Sequence, residues 1–294
     1  MASLKEVRIR IKSVVSTQKI TKAMKMVAAS KLRKAQDNII ELRPYIQKLG
    51  EILHSVIRAT EQNTPSKYAE EREVKQVLII PITSDKGLCG AFNSNIIKKV
   101  IALIDESYSD HHKNGQIEIL PIGKKAYDFF RKNNYKIIED YWKIFHQISF
   151  ENVRAASEFT MKEFVNGRFD KVILVYNEFK NVATQIIKAE QFLPIVPEEE
   201  NSQNQVSVDY IFEPSEEYIV QELIPQSLKI HFYKAILESN AAEHGARMTA
   251  MDLATENAEE LLGELRITYN RTRQAAITKE ILEIVAGADA LSQE

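Results

Sequence analysis

The chain has 294 residues, 44% of them hydrophobic, enough to bury a sizeable core in one or two domains. Its 39 Lys+Arg against 41 Asp+Glu leave a net charge of −2, which excludes a globally basic nucleic-acid binder and a highly charged disordered chain. A single cysteine, Cys89, excludes an internal disulfide framework, and the longest apolar runs, such as residues 77–82, fall far short of the ~20 residues a membrane span needs.

Charge is unevenly distributed. Residues 1–60 hold thirteen basic and four acidic side chains, and ten of the basic ones lie in residues 1–34 against the single acid Glu6. Stepping alternately by three and four from Leu4 to Val56 visits sixteen positions, thirteen of them apolar. A 3.5-residue repeat held this long predicts a coiled-coil seam, because an isolated helix would drift off a fixed face within a few turns. At 1.5 Å per residue this helix spans roughly 80 Å, with Pro44 expected to kink it and Gly50 to loosen it. Lys5, Arg8, Lys12, Lys19, Lys22 and Arg33 fall on one track beside the seam, so the helix can bury its stripe and still present positive charge outward.

The middle alternates strand and helix. Residues 74–83 form a continuous apolar run of strand length, 90–109 have helical periodicity, 116–122 are a second strand, and 124–132 and 151–165 are helices. Residues 169–179 make a further strand, with 182–192 as an antiparallel hairpin arm. This order predicts an α/β sheet, Rossmann-like, with helices on both faces. A solvated loop over 194–205 precedes a last short strand at 208–212. The same heptad stepping resumes from Ile230 to Ala286, where eleven of seventeen positions are apolar and Asn240, His244 and Arg247 interrupt. Two seams flanking a globular middle pair most simply as an antiparallel coiled coil, giving an N-terminal shaft helix (1–60), a central α/β domain (61–215) and a C-terminal shaft helix (216–294). The polar positions Gln18, Thr21 and Lys25 are then expected near Asn240, His244 and Arg247, fixing register or opening the seam toward another protein.

Sites of chemistry are sparse. The loop 84–93, SDKGLCGAFN, follows a strand and opens a helix, the place where a doubly wound sheet holds phosphate, but it has neither a G-x-G-x-x-G nor a P-loop pattern. Cys89 has no histidine nearby in sequence to act as its base, His111 and His112 read as solvated loop residues, and the acids Glu198, Glu199 and Glu200 read as a hydrated run. No catalytic, cofactor or metal residues are assigned. No aromatic interleaves the basic track before Tyr45, which disfavours nucleic acid and leaves an acidic protein surface as its counterpart. The alternative reading is a free-standing α/β enzyme that its coiled coil dimerises.

The segments TQKITKAMKMVAASK at 17–31 and NRTRQAAITKEILEIVAGA at 270–288, with SDKGLCGAFN at 84–93 and RMTAM at 247–251, resemble the gamma subunits of the F-type ATP synthases over essentially the whole chain. The resemblance implies a non-enzymatic rotor. Its terminal helices would turn inside a hexamer of alpha and beta subunits, which bind the ATP, ADP and Mg while this chain binds no cofactor. The resemblance makes Ile277, Ile281, Leu282, Ile284, Val285 and Leu291 an apolar bearing. It makes Arg273, Gln274, Thr278 and Glu280, with Met24 and Lys25, contacts to beta-subunit loops. Tyr210 and Glu213, in DYIFEP at 209–214, would form the foot that meets the epsilon subunit and the ring of c subunits. It further implies proton-coupled ATP synthesis, membrane association only through the complex, and no paired-cysteine regulatory insertion. A bacterial setting at the cytoplasmic face of the inner membrane is expected over a mitochondrial matrix, because nothing extends before the family-like N-terminus. Gly245, inside the C-terminal helix, is expected to cost ~1 kcal/mol relative to Ala and to mark a flexible point.

Overall fold

The computed structural model describes residues 3–60, 67–182, 184–195 and 216–291. Two very long helices carry the ends, α1 (Leu4–Thr60, 57 residues) and α6 (Glu216–Leu291, 76 residues). Between them lie β1 (Val77–Pro81), α2 (Phe92–Ser107), α3 (Ser109–Lys113), β2 (Ile117–Ile119), α4 (Lys124–Lys132), β3 (Lys136–Ile137), α5 (Phe150–Val165), β4 (Lys171–Phe179) and β5 (Gln185–Leu193). Two compact units are formed, Met1–Ala28 with Met248–Glu294, and Ala29–Arg247.

In the larger unit the strands make one sheet in the order β3-β2-β1-β4-β5. β1 runs parallel to β2 and β4, and β5 returns antiparallel to β4 as the expected hairpin arm. The apolar runs have no polar alternation because both faces are covered. Leu78, Ile80, Val172 and Leu174 point into a core with α5 and with Ile224, Leu228, Phe232 and Ile236 of α6. Val77, Ile79, Ile173 and Val175 point into a second core with α2 and α4. The N-terminal part of α6 is therefore a layer of the α/β domain as well as the start of a shaft helix.

The described elements follow the sequence expectation with local differences. β1 and β2 are shorter than the apolar runs at 74–83 and 116–122, although a bridge between Ile82 and Ile122 extends their pairing. The two-residue β3 and the 3-10 turn Trp142–His146 are additions. His111 and His112 are in α3 rather than a loop: His111 Nε2 lies 2.9 Å from the Val74 carbonyl, and His112 stacks on Tyr135. The expected strand at 208–212 lies outside the described residues, as does most of the 194–205 loop.

α1 begins with a reciprocal cap: the Ser3 N–H donates to Glu6 Oε2 at 2.9 Å and the Glu6 N–H donates to Ser3 Oγ at 3.3 Å, satisfying two otherwise unpaired donors. From Leu4 to Leu49 every heptad position is buried or half-buried, as a continuous seam requires. α1 remains helical through Pro44.

Candidate functional site

The loop after β1 sits at the carboxyl edge of the sheet, beside the point where β2 and β4 diverge from β1, the usual ligand crevice of an open parallel sheet. Here the chain's own helix fills that crevice. Ser239 Oγ of α6 donates to the Ile82 carbonyl at 3.3 Å, and Arg247 Nη2 donates to the carbonyls of Lys86 and Gly87 at 3.0 and 3.1 Å. A phosphate loop aims N–H groups at its ligand, whereas these two carbonyls are aimed at a cation, so the local polarity is wrong for an anion. The loop is stiffened from inside: the Ser84 N–H donates to Asn93 Oδ1 at 2.9 Å, and Asn93 Nδ2 donates to Cys89 Sγ at 3.2 Å. Burial pushes the Cys89 thiol up, so it is held protonated, the opposite of an activated nucleophile. Among the described residues no cluster of three or more His, Cys, Asp or Glu is placed to hold a metal ion.

Arg247 also pairs with Glu243, Nη1 to Oε1 at 2.5 Å, and both side chains are buried. Burial raises the Glu243 carboxyl against the opposing pull of Arg247. Burial, aided by the charges of Arg247 and Lys31, lowers the neighbouring His244 to about 4, leaving it neutral near pH 7. The expected meeting of Asn240, His244 and Arg247 with Gln18, Thr21 and Lys25 does not occur. Arg247 is instead engaged by the Lys86 and Gly87 carbonyls and by Glu243, and His244 Nδ1 lies 3.4 Å from Arg247 Nη1 on the same helix.

In the smaller unit, Thr21 Oγ1 and Thr255 Oγ1 share a hydrogen bond of 2.8 Å, and Lys25 forms an ion pair with Asp252. These cross-links set an antiparallel register in which Leu4 stands opposite Thr272. The burial follows: Met251, Ala258, Leu262 and Leu265 are covered, and from Arg273 to Ala286 every residue is exposed. The C-terminal seam thus loses its partner some fourteen residues before the last expected seam position, Ala286, because α1 has ended.

That overhang holds half of the residues assigned to partners. Ile277, Ile281, Leu282, Ile284 and Val285 are 48%, 55%, 63%, 71% and 50% exposed, and Arg273, Gln274, Thr278 and Glu280 are exposed beside them. The side chain of Leu291 and the residues Tyr210 and Glu213 lie outside the described positions. Lys5, Arg8, Lys12, Lys19, Lys22 and Arg33 are all exposed on α1. Met24 is half-buried, and Lys25 is tied to Asp252 within the coil. Asp252 and Thr255 escaped the sequence reading. An acid on α6 opposite a lysine in the α1 seam was the available signal, but it becomes legible only once the register is known.

A family model described as ATP synthase matches residues 3–291. The chain is 56% identical over 294 residues to the ATP synthase gamma chain of Cytophaga hutchinsonii, covering 99% of this chain and 100% of that one. The chain belongs to the ATP synthase gamma-chain family. Its fold is shared with a chain of the Tetrahymena thermophila mitochondrial ATP synthase central stalk and c-ring, at 26% identity and a TM-score of 0.55, covering 80% and 99% of the two chains. It is shared also with a chain of the Euglena gracilis mitochondrial ATP synthase, at 20% identity and a TM-score of 0.65, covering 98% and 94%. A gamma chain is a non-catalytic subunit of the central-stalk rotor, and the assembled complex is the enzyme. The family therefore supports the rotor and not the free-standing enzyme. As a gamma chain it associates with other synthase subunits, and no described helix is long and apolar enough to cross a membrane.

Proposed function

We propose that the chain turns within a hexamer of alpha and beta subunits, with the exposed end of α6 as its bearing and the basic face of α1 as the surface read by acidic beta-subunit loops. The observation that carries this reading is the overhang: a helix end dense in exposed isoleucine, leucine and valine, with no second helix of the described chain beside it. Large exposed apolar surface on one element calls for a cover. An apolar cover suits rotation, because non-directional contacts add little barrier to turning, whereas hydrogen bonds would favour particular angles. Arg273, Gln274, Thr278 and Glu280, exposed on the same helix, supply the few directional contacts that favour chosen angles.

Torque then follows from asymmetry. Three chemically identical catalytic subunits meet a rotor whose sides differ in charge, so each angle favours one state of nucleotide occupancy, and proton-driven rotation converts that preference into product release. Nucleotide and Mg belong to the alpha and beta subunits in this reading. The foot, including Tyr210 and Glu213, meets the epsilon subunit and the c ring, at the cytoplasmic face of a bacterial inner membrane. Reconstitution of the full-length chain with alpha and beta subunits tests the proposal. A steady ATPase should appear on addition of the chain and fall when residues 277–291 are removed; nucleotide binding by the chain alone, or ATPase indifferent to it, would overturn the reading.

A further inference from the structure

α1 carries a second heptad line besides the seam it buries. Stepping alternately by four and three from Ile9 visits Ser13, Ser16, Ile20, Ala23 and Val27, none of them charged in a stretch crowded with lysine and arginine. The seam residues Val7, Ile11, Val14, Gln18 and Thr21 stand two places earlier at each step, which puts the new line about 200° round the helix, on its outer side. All six of its positions are exposed, with Ile9, Ile20 and Val27 at 58%, 56% and 57%. One exposed isoleucine needs no explanation, but apolar residues repeating every 3.5 residues outside a two-helix coil describe a face that another helix can follow. The flanks of this face are basic. Lys5, Lys12 and Lys19 border it at intervals of seven on one side and Arg10 stands on the other, and among the described residues none of these four has an ion-pair partner.

We propose that this face seats an acidic amphipathic helix of a partner subunit, with its apolar stripe on Ile9, Ile20 and Val27 and its carboxylates toward Lys5, Lys12, Lys19 and Arg10. The inference rests on the basic face of α1 meeting acidic subunits, as proposed above, and adds a helical partner lying along it in register with α1. The line from Ile9 to Val27 is about 27 Å long, enough to follow a helix of about eighteen residues. Ser13, Ser16 and Ala23 put little bulk between the large residues, which lets two helix axes approach to about 8 Å. Charges flanking such a face select the partner: opposite charge is attracted, whereas the same face of a second copy would bring cation against cation.

Photocross-linking tests this in the complex reconstituted from the full-length chain with alpha, beta and epsilon subunits, with Ser16 replaced by p-benzoylphenylalanine and the products mapped by mass spectrometry. Cross-links are expected in one acidic helical segment of a partner subunit. Moving the reagent one heptad on, to Ala23, should move the products by about seven residues along that segment. Changing Ile9, Ile20 and Val27 together to Ser, which resembles them in helix propensity, should lower the yield from Ser16 at least about fivefold while circular dichroism stays native-like. Changing Lys5, Lys12 and Lys19 together to Gln should also lower it, by a factor that shrinks between about 0.1 M and about 1 M salt. A yield that falls with the lysine change and not with the Ser change leaves the basic face standing and overturns the seated helix. A yield indifferent to both overturns the basic face as well. Absence of cross-links, products that stay on one loop when the reagent moves to Ala23, or products joining two copies of this chain would equally overturn the proposal.

Discussion

Arg247 joins three demands at one atom group: two loop carbonyls, a buried acid and a tightly packed helix. Replacing it with Gln leaves Glu243 buried without its charge partner and the Lys86 and Gly87 carbonyls short of a donor. A loss of about 3 kcal/mol is expected in denaturant unfolding, since breaking a buried pair strands the remaining charge. A loss below about 1 kcal/mol would mean that water replaces the guanidinium. Because Glu243 is raised, the deficit should shrink as pH falls and the stranded carboxyl takes up a proton. His244 acts in the opposite sense. Its folded value of about 4 lies below the ordinary histidine value of 6.5, so its stabilising share is whole above that value. It is lost as pH falls toward about 4, because the unfolded chain takes up the proton first. Stability measured along this window should decline in the native chain and decline less steeply in His244→Asn. Neither residue's role was legible in sequence, where both read as interruptions of a seam; only the fold shows that Arg247 reaches the loop carbonyls of Lys86 and Gly87, with His244 beside it on the helix.

At the scale of elements, Gly245 shows what a local rule leaves out. Glycine inside a helix suggests looseness, yet Gly245 is buried, and a Cβ placed there would lie 3.4 Å from the Phe179 ring and 3.8 Å from Gln185 and Val182. It lies where α6 passes close to the β4–β5 hairpin, with room for a methyl group and little more. Alanine just fits: Gly245→Ala should stabilise the chain by about 0.5 to 1 kcal/mol through helix propensity. Gly245→Leu should destabilise it by about 1 to 3 kcal/mol through overpacking. Thermal melting of the two variants separates these signs, and a hinge would leave both near neutral. The long helices themselves were legible because a 3.5-residue period is visible without knowledge of any partner. The end of the seam was not, because it depends on register, and register is set by the pairs Thr21 with Thr255 and Lys25 with Asp252. Those pairs are ordinary residues in sequence, and they acquire meaning only across the coil.

For the whole molecule, the division of charge carries the last expectation. α1 presents Lys5, Lys12 and Lys19 outward, while Glu256, Glu259, Glu260 and Glu264 are exposed on α6, so the two helices of one coil carry opposite signs to solvent. If acidic beta-subunit loops read the basic side, then changing Lys5, Lys12 and Lys19 together to Glu reverses the field they meet, while the seam residues Val7, Ile11, Val14 and Gln18 are untouched. Exposed charges contribute little to folding, about 0 to 1 kcal/mol for each pair, so the coil should persist by circular dichroism, with a modest loss from repulsion against the acids of α6. The corresponding triple change to Gln removes the attraction without adding that repulsion. Proton-driven ATP synthesis in the reconstituted complex should therefore fall in the order native, Gln triple, Glu triple, with the differences narrowing as salt is raised, because exposed charges are screened beyond about 10 Å at ~0.1 M. Equal synthesis in all three would remove the basic track from the mechanism and leave the apolar end of α6 as the surface through which the chain is felt.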